Sequence, residues 1–230
     1  MEVLARLRAG DREIDFGVAT TKAERAAILA QRFRVYQRWS YYRGPRVRVD
    51  RDAHDAGAVY LLGRLRGHPC DGLMVGSARV VLGEERAGFR FPAQEAFDFP
   101  LPPGVDRVPV SQCHEVSRLV SERPEGIVPG TLLTPLGLIE AASLYSQRVG
   151  IRCGLGVIKQ RLVNALVGVG VRLHLVPAAQ LIYPRTGSIA GYYYHHPDPP
   201  RAVYWLGDIV PSIEQAIENY RVLIQDSVFA

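Results

Sequence analysis

The run CHEVSRLV, residues 113 to 120, places a carboxylate, Glu115, and a guanidinium, Arg118, inside a segment that otherwise reads as a buried strand. An ion taken out of water without a partner is costly, so each of these groups needs a counter-charge or a chemical task. In a regular strand His114, Val116, Arg118 and Val120 share one face, and Glu115, Ser117 and Leu119 share the other. The two charges can meet only if the strand is bulged or twisted there. An ion pair at a sheet end fits the local sequence as well as a reactive site does.

Other chemistry-bearing residues are less promising. Cys70, Cys113 and Cys153 are far apart and lack CxxC spacing, so neither a disulfide framework nor a zinc site is expected. Cys113, His114 and Glu115 are consecutive and alternate faces, which is poor geometry for chelating one metal. The same argument separates His195 from His196 in GYYYHHPDPP. No metal site is expected.

The chain has 230 residues, 47% of them hydrophobic and 22% charged, which predicts one domain over 1–230 with a substantial core. No apolar run approaches the roughly 20 residues needed to span a bilayer. MEVLARLRAGDREIDF has charges spaced through it and no signal-peptide core, so a cytoplasmic location is expected. The net charge is +5, and Lys22 and Lys159 are the only lysines. A basic chain suits an acidic partner, but no nucleic-acid motif is present and nucleic acid is not expected.

The elements that must position Glu115 and Arg118 follow from periodicity and caps. REIDFGVAT (12 to 20) reads as a first strand. Thr21 and Glu24 form a capping box, opening a helix to about Trp39 with Ala26, Leu29, Phe33 and Tyr36 on one face and Arg32 one turn before Tyr36. A polar connector (43 to 57) leads to a hairpin of VYLLGRLRG and LMVGSARVVLG, and 84 to 109 is irregular and proline-rich. Thr134-Pro135 reads as the cap and first turn of a helix ending at Gly150. IRCGLGVI and VRLHLVP read as strands around a short helix, SIAGYYYHH and RAVYWLGD as a long hairpin, and PSIEQAIENYRVLIQ as a closing helix. The plan is α+β, with a central mixed, mostly antiparallel sheet flanked by helices. Strand 113–120, helix 135–149 and strand 151–158 would be a crossover joining parallel neighbours.

This order of elements resembles the GNAT-type N-acyltransferase fold. The charged positions resemble its autoinducer-synthase branch, the acyl-homoserine-lactone (quorum-sensing signal) synthases and the long-chain N-acyl amino acid synthases. The matching pieces are RFRVY, with Arg32 and Tyr36; DRDAHDAGAVYLLG, with Asp52 and Asp55; GSARVV, with Arg79; the FP pair at Phe91; and EVSRLV, with Glu115, Ser117 and Arg118. Each piece is short, and the ordered set carries the resemblance. Where lactone synthases have a tryptophan after the helical aromatic, this chain has Tyr42, or Trp39 out of step. The pyrophosphate loop of coenzyme-A-dependent members is half matched by Arg123, Gly126 and Val128.

The resemblance implies transfer of a fatty acyl chain from a thioester to an amine, with no permanently bound cofactor. The donor would be acyl carrier protein or acyl-CoA. Val128, bulkier than glycine, and the basic charge favour the acidic carrier. Glu115 is implied as the base, and a bulge beside it would aim backbone amides at the oxyanion. Asp52 and Asp55 either hold the amine or cap a turn. Arg79 and Arg118 either anchor those aspartates or bind an acceptor carboxylate. Tyr36 and Phe91 either wall the acceptor pocket or belong to the core. The first alternative is a lactone synthase using S-adenosylmethionine, and the second is a silent relative that binds acyl chains or a partner.

Overall fold

The computed structural model describes residues 1–9, 12–42, 50–67, 71–122, 132–207 and 209–228. In chain order, β1 (Glu2–Ala9) and β2 (Arg12–Val18) precede α1 (Lys22–Arg38), then come β3 (Val59–Arg66) and β4 (Met74–Leu82). The short α2 (Pro92–Ala96) and β5 (Phe97–Asp98) lead to β6 (Cys113–Ser121), α3 (Leu133–Arg148), β7 (Cys153–Lys159) and α4 (Gln160–Gly168). The two-residue β8 (His174–Leu175) and β9 (Gln180–Leu181), α5 (Ala190–Tyr194), β10 (Pro200–Leu206) and α6 (Val210–Val228) complete the order.

Eight strands form one sheet in the order β1-β2-β3-β4-β6-β7-β10-β8, and β5 pairs with β9 apart from it. Every neighbouring pair is antiparallel except β6 and β7, the pair joined through α3. Alternation along β3 splits the core. Leu61 and Leu65 face the cluster that α3 and α6 complete, while Tyr60 and Leu62 pack with Ile28 and Leu29 of α1 on the other side. With both faces covered, β4 is buried along nearly its whole length.

α1 begins as its capping box predicts, with the Thr21 hydroxyl accepting from Glu24 N–H and the Glu24 carboxylate accepting from Thr21 N–H. Its buried face, however, is Ile28, Leu29, Gln31, Arg32, Val35 and Tyr36, while Ala26 is exposed. A polar stripe lies among the apolar residues because Arg32 and Gln31 find buried partners: Ser77 Oγ donates to Gln31 Oε1 at 2.8 Å.

Several segments depart from the sequence reading. β1 precedes the expected first strand and pairs with it. α3 starts at Leu133 with Leu132 at its cap position, so Thr134 lies within the helix. VRLHLVP contributes only the two residues of β8, which pair with β10. The expected hairpin of 188–196 with 201–208 does not form: GYYY is the helix α5, and β10 pairs instead with β7 and β8. Three tyrosines in a row have strand propensity, but tertiary packing of their rings overrides it. The part-matched pyrophosphate loop with Arg123, Gly126 and Val128 lies outside the described residues.

The packing of α3 on the sheet turns on Phe16, which is fully buried. A Cβ built on Gly137 of α3 would lie 2.3 Å from the Phe16 ring, and one on Gly63 of β3 would lie 2.6 Å from it. The ring is wedged between two glycines and cannot swing aside. Alanine in a helix gains about 1 kcal/mol over glycine, whereas overpacking a filled core costs about 1–3 kcal/mol. Gly137→Ala is therefore expected to lower stability despite the propensity gain, by up to about 2 kcal/mol, read as a lower urea midpoint.

Candidate active site

β6 and β7 pair only from Cys113↔Cys153 to Val116↔Gly156, although β6 runs on to Ser121 and β7 to Lys159. Beyond that point the two strands diverge, and their facing edges border a cavity of about 510 Å³. Glu115, Ser117, Arg118, Val157 and Lys159 contribute to its walls, together with Tyr36 and Tyr41 from the end of α1 and Tyr192 and Tyr193 from α5.

At the mouth of this divergence β6 is bulged. Its register against β4 shifts between Ser77 and Arg79, and Arg118 has φ of 54°, the left-handed region. A non-glycine residue there costs about 1 kcal/mol or more. The bulge reverses the alternation of the strand. Val116 stays in the core beneath α3, but Arg118 and Val120 join Glu115 and Ser117 on the α1 side, where Val120 packs with Val35 and Tyr36. The expected bulge is present, yet Glu115 and Arg118 do not pair with each other.

Arg118 instead enters a closed ring of three arginines and three aspartates. Arg32 Nε donates to Asp50 Oδ2 at 2.9 Å and its Nη1 to Asp55 Oδ1 at 3.0 Å. Arg79 Nη1 donates to Asp52 Oδ1 at 2.5 Å and to Asp55 Oδ1 at 3.0 Å. Arg118 Nη2 donates to Asp52 Oδ2 at 2.8 Å and lies 3.6 Å from Asp50 Oδ1. Each arginine bridges a different pair of aspartates. Arg79 Nε also donates to Ser117 Oγ at 3.1 Å, and Tyr60 Oη donates to Asp55 Oδ1 at 2.9 Å. Burial opposes ionisation of Asp52, but the charges of Arg79 and Arg118 outweigh it and hold its pKa well below the usual carboxylate range. Asp52 and Asp55 additionally cap one turn: Asp52 Oδ1 accepts from His54 N–H and Asp55 Oδ2 from Asp52 N–H.

Glu115 is treated differently. It is 1% exposed, lies on the cavity wall and makes no ion pair among the described residues. Its Oε2 accepts the N–H of Ala93, in the first turn of α2, at 2.6 Å. Burial pushes its pKa up to about 8, and that hydrogen bond and the charge of Arg79 offset only part of the shift.

The predicted residues thus divide. Tyr36, Asp52, Arg79, Glu115, Ser117 and Arg118 reach the cavity wall. Arg32 and Asp55 stand behind it, closing the ring. Phe91 does not wall the cavity: it is 2% exposed, packs edge-on against Phe89 at 4.9 Å, and precedes α2, whose amide holds Glu115. Trp39 reaches the rim, whereas Tyr42 packs on Phe33 and Tyr36 behind it. His196 packs on Trp39 and Tyr41. Asp50, Lys159 and the tyrosines of α5 were not foreseen. Three arginines needing three counter-charges pointed to Asp50, and Lys159 stood out as a lysine in a chain that otherwise uses arginine. Among the described residues no group of His, Cys, Asp or Glu side chains is placed to hold a metal ion, and no helix is long and apolar enough to cross a membrane.

Two measurements test this electrostatic arrangement. Removing Arg32, which has no exposed surface, leaves Asp50 and Asp55 each short of a partner, so Arg32→Met is expected to cost about 3–5 kcal/mol in chemical denaturation. Folded Glu115 keeps its proton to about pH 8, whereas an unshifted carboxyl releases it near 4.5. The stability this contributes is fully present below 4.5 and is lost as pH rises to about 8. Over that window the wild-type urea midpoint should fall more steeply than that of Glu115→Gln, and parallel curves would contradict the assignment.

No protein-family profile matches the chain, nor does any curated protein. Among solved structures it is similar to TofI, in a ternary complex with an inhibitor and MTA, at 18% identity and a TM-score of 0.58, covering 88% of this chain and 98% of TofI. It is also similar to MesI, a CoA-dependent acyl-homoserine lactone synthase, at 20% identity and 0.54, covering 89% and 94%. FeeM, an N-acyl amino acid synthase, is 11% identical at 0.50, covering 90% and 95%. These similarities span most of each chain and include both groups of synthase that the sequence motifs resemble. The chain therefore has the GNAT-type acyltransferase fold in the form these synthases share.

Proposed function

We propose that this protein is an N-acyltransferase that moves a fatty acyl group from a phosphopantetheine thioester to the amine of an amino acid or related metabolite. The observation that carries the reading is Glu115: a protonatable carboxyl with no counter-ion among the described residues, oriented by a backbone amide on the wall of a cavity between diverging strands. An α-amino group has a pKa near 8, and that of Glu115 is also about 8. Proton transfer from the α-ammonium to this carboxylate is then nearly thermoneutral, the condition for efficient general-base catalysis.

The free amine attacks the thioester carbonyl, the N–C bond forms, and Glu115 in its carboxylate form takes the proton from the attacking nitrogen. The C–S bond then breaks, and the departing thiolate takes that proton back from Glu115 and leaves as the thiol. Backbone amides freed where β6 bulges and leaves β7 are the natural donors to the oxyanion. The arginine–aspartate ring keeps Asp52 ionised and fixed at the wall, a dipolar surface for the acceptor. The net charge of +5 favours an acidic acyl carrier protein as the donor.

The lactone-synthase alternative draws support from Trp39 at the rim. A Glu115 salt-bridged away from any cavity would support the silent-relative alternative, and its place on the wall without an ion pair among the described residues weighs against it.

Mass spectrometry of lipid extracts from cells expressing the chain, beside a Glu115→Gln variant, tests the proposal. A new N-acylated amine is expected with the wild type, falling by about 100-fold or more in the variant. An acyl lactone as the product would favour the alternative, and the absence of any acylated amine would end the acyl-transfer reading.

A further inference from the structure

One charged group on the cavity wall has no part in the chemistry above. Lys159, at the end of β7, donates from Nζ to the carbonyl of Tyr192 at 2.5 Å. Its ammonium lies 4.0 Å from the centroid of the Tyr192 ring and 5.2 Å from that of Tyr41. It makes no ion pair among the described residues. Ring faces and a carbonyl can hold a cation in a site built without a carboxylate of its own. Burial lowers the pKa of Lys159 to about 8, and the charge of Asp198 offsets only part of the shift.

A second cation stands on the same group of rings. The Arg118 guanidinium lies 5.5 Å from the centroid of Tyr36, and Tyr36 packs on Tyr41 at 5.2 Å, as Tyr41 does on Tyr192 at 5.1 Å. Arg118 Nη1 has no hydrogen-bond partner among the described residues. Arg118 is balanced within the ring, but no acid among the described wall residues balances Lys159. Asp52 is committed to Arg79 and Arg118, Glu115 keeps its proton below about pH 8, and Glu95 is exposed at the rim with its Oε1 3.1 Å from His54.

We propose that Lys159, assisted by Arg118, positions the acceptor by its carboxylate, so that the amine to be acylated belongs to a molecule with a free carboxylate. The inference rests on the acyl-transfer reading and narrows its acceptor. A carboxylate between the two cations neutralises charge that the wall leaves unbalanced and receives charge-assisted hydrogen bonds. Lys159 is a positioning residue here, acting on substrate placement and not on the proton.

The purified chain would be assayed with decanoyl-CoA and with decanoyl acyl carrier protein as donors. The common L-amino acids, their carboxamides and S-adenosylmethionine would serve as acceptors, with products read by mass spectrometry. Wild type is expected to acylate an acid with a KM lower than that of its carboxamide by about tenfold or more. Lys159→Met should raise the KM for the acid more than for the amide and change kcat less, while Lys159→Arg, which keeps the charge, should retain the preference. Equal KM values for acid and amide in wild type, or an equal loss for both in Lys159→Met, would overturn the inference. No product from any acceptor with either donor would instead overturn the acyl-transfer reading itself. Should Lys159→Met not fold, the wild-type comparison of acid with amide and the Lys159→Arg variant still decide the question.

Discussion

The interaction on which the site depends is the ring in which Arg32, Arg79 and Arg118 each bridge a different pair among Asp50, Asp52 and Asp55. Its members come from α1, the connector before β3, the middle of β4 and the middle of β6, so it ties together elements far apart in the chain. A single buried ion pair seldom repays its desolvation against an apolar substitute. A ring in which each charge meets two opposite charges leaves little unpaired, and its removal in part is what costs most. The ring also accounts for the left-handed backbone at Arg118. In an unbulged strand that guanidinium would enter the apolar core under α3, and the local strain is small beside that penalty.

The same ring sorts the acids. Asp52 and Asp55 are drawn into it and pushed toward ionisation, while Glu115, more deeply buried than either, has no guanidinium bonded to it among the described residues and is pushed the other way. Carboxyl groups on one side of one sheet thereby titrate far apart: Asp52 and Asp55 are held ionised, while Glu115 is poised to exchange its proton near pH 8. The pairing of β6 with β7 ends at Val116↔Gly156 and opens the cavity beside Glu115.

Much of the framework was legible along the chain. The capping box at Thr21 and Glu24 opens α1 because both partners lie within four residues, and the β3–β4 hairpin and the α3 crossover follow from apolar periods. The misreadings have physical reasons. β1 went unnoticed because its exposed charges mask a half-buried edge strand, and α5 was mistaken for a strand because ring packing outweighed the propensity of its tyrosines. The stripe assigned to α1 erred at Ala26 since the helix buries Arg32 and Gln31, which apolar counting places outside.

What the sequence by itself determined was the inventory and the order: a carboxylate and a guanidinium inside a strand, aspartates in a short connector, arginines on neighbouring elements, and the secondary structure that carries them. Only the tertiary structure decided which charges meet, because pairing at 2.5 to 3.0 Å depends on one bulged residue reversing the face of β6. It likewise decided that Asp50 completes the ring, that Phe91 supports α2 and does not wall the cavity, and that Lys159 reaches it. Spacing along the chain sets which side chains are near on one helix or strand. Desolvation, which fixes protonation and pairing, is a property of everything packed around them in three dimensions.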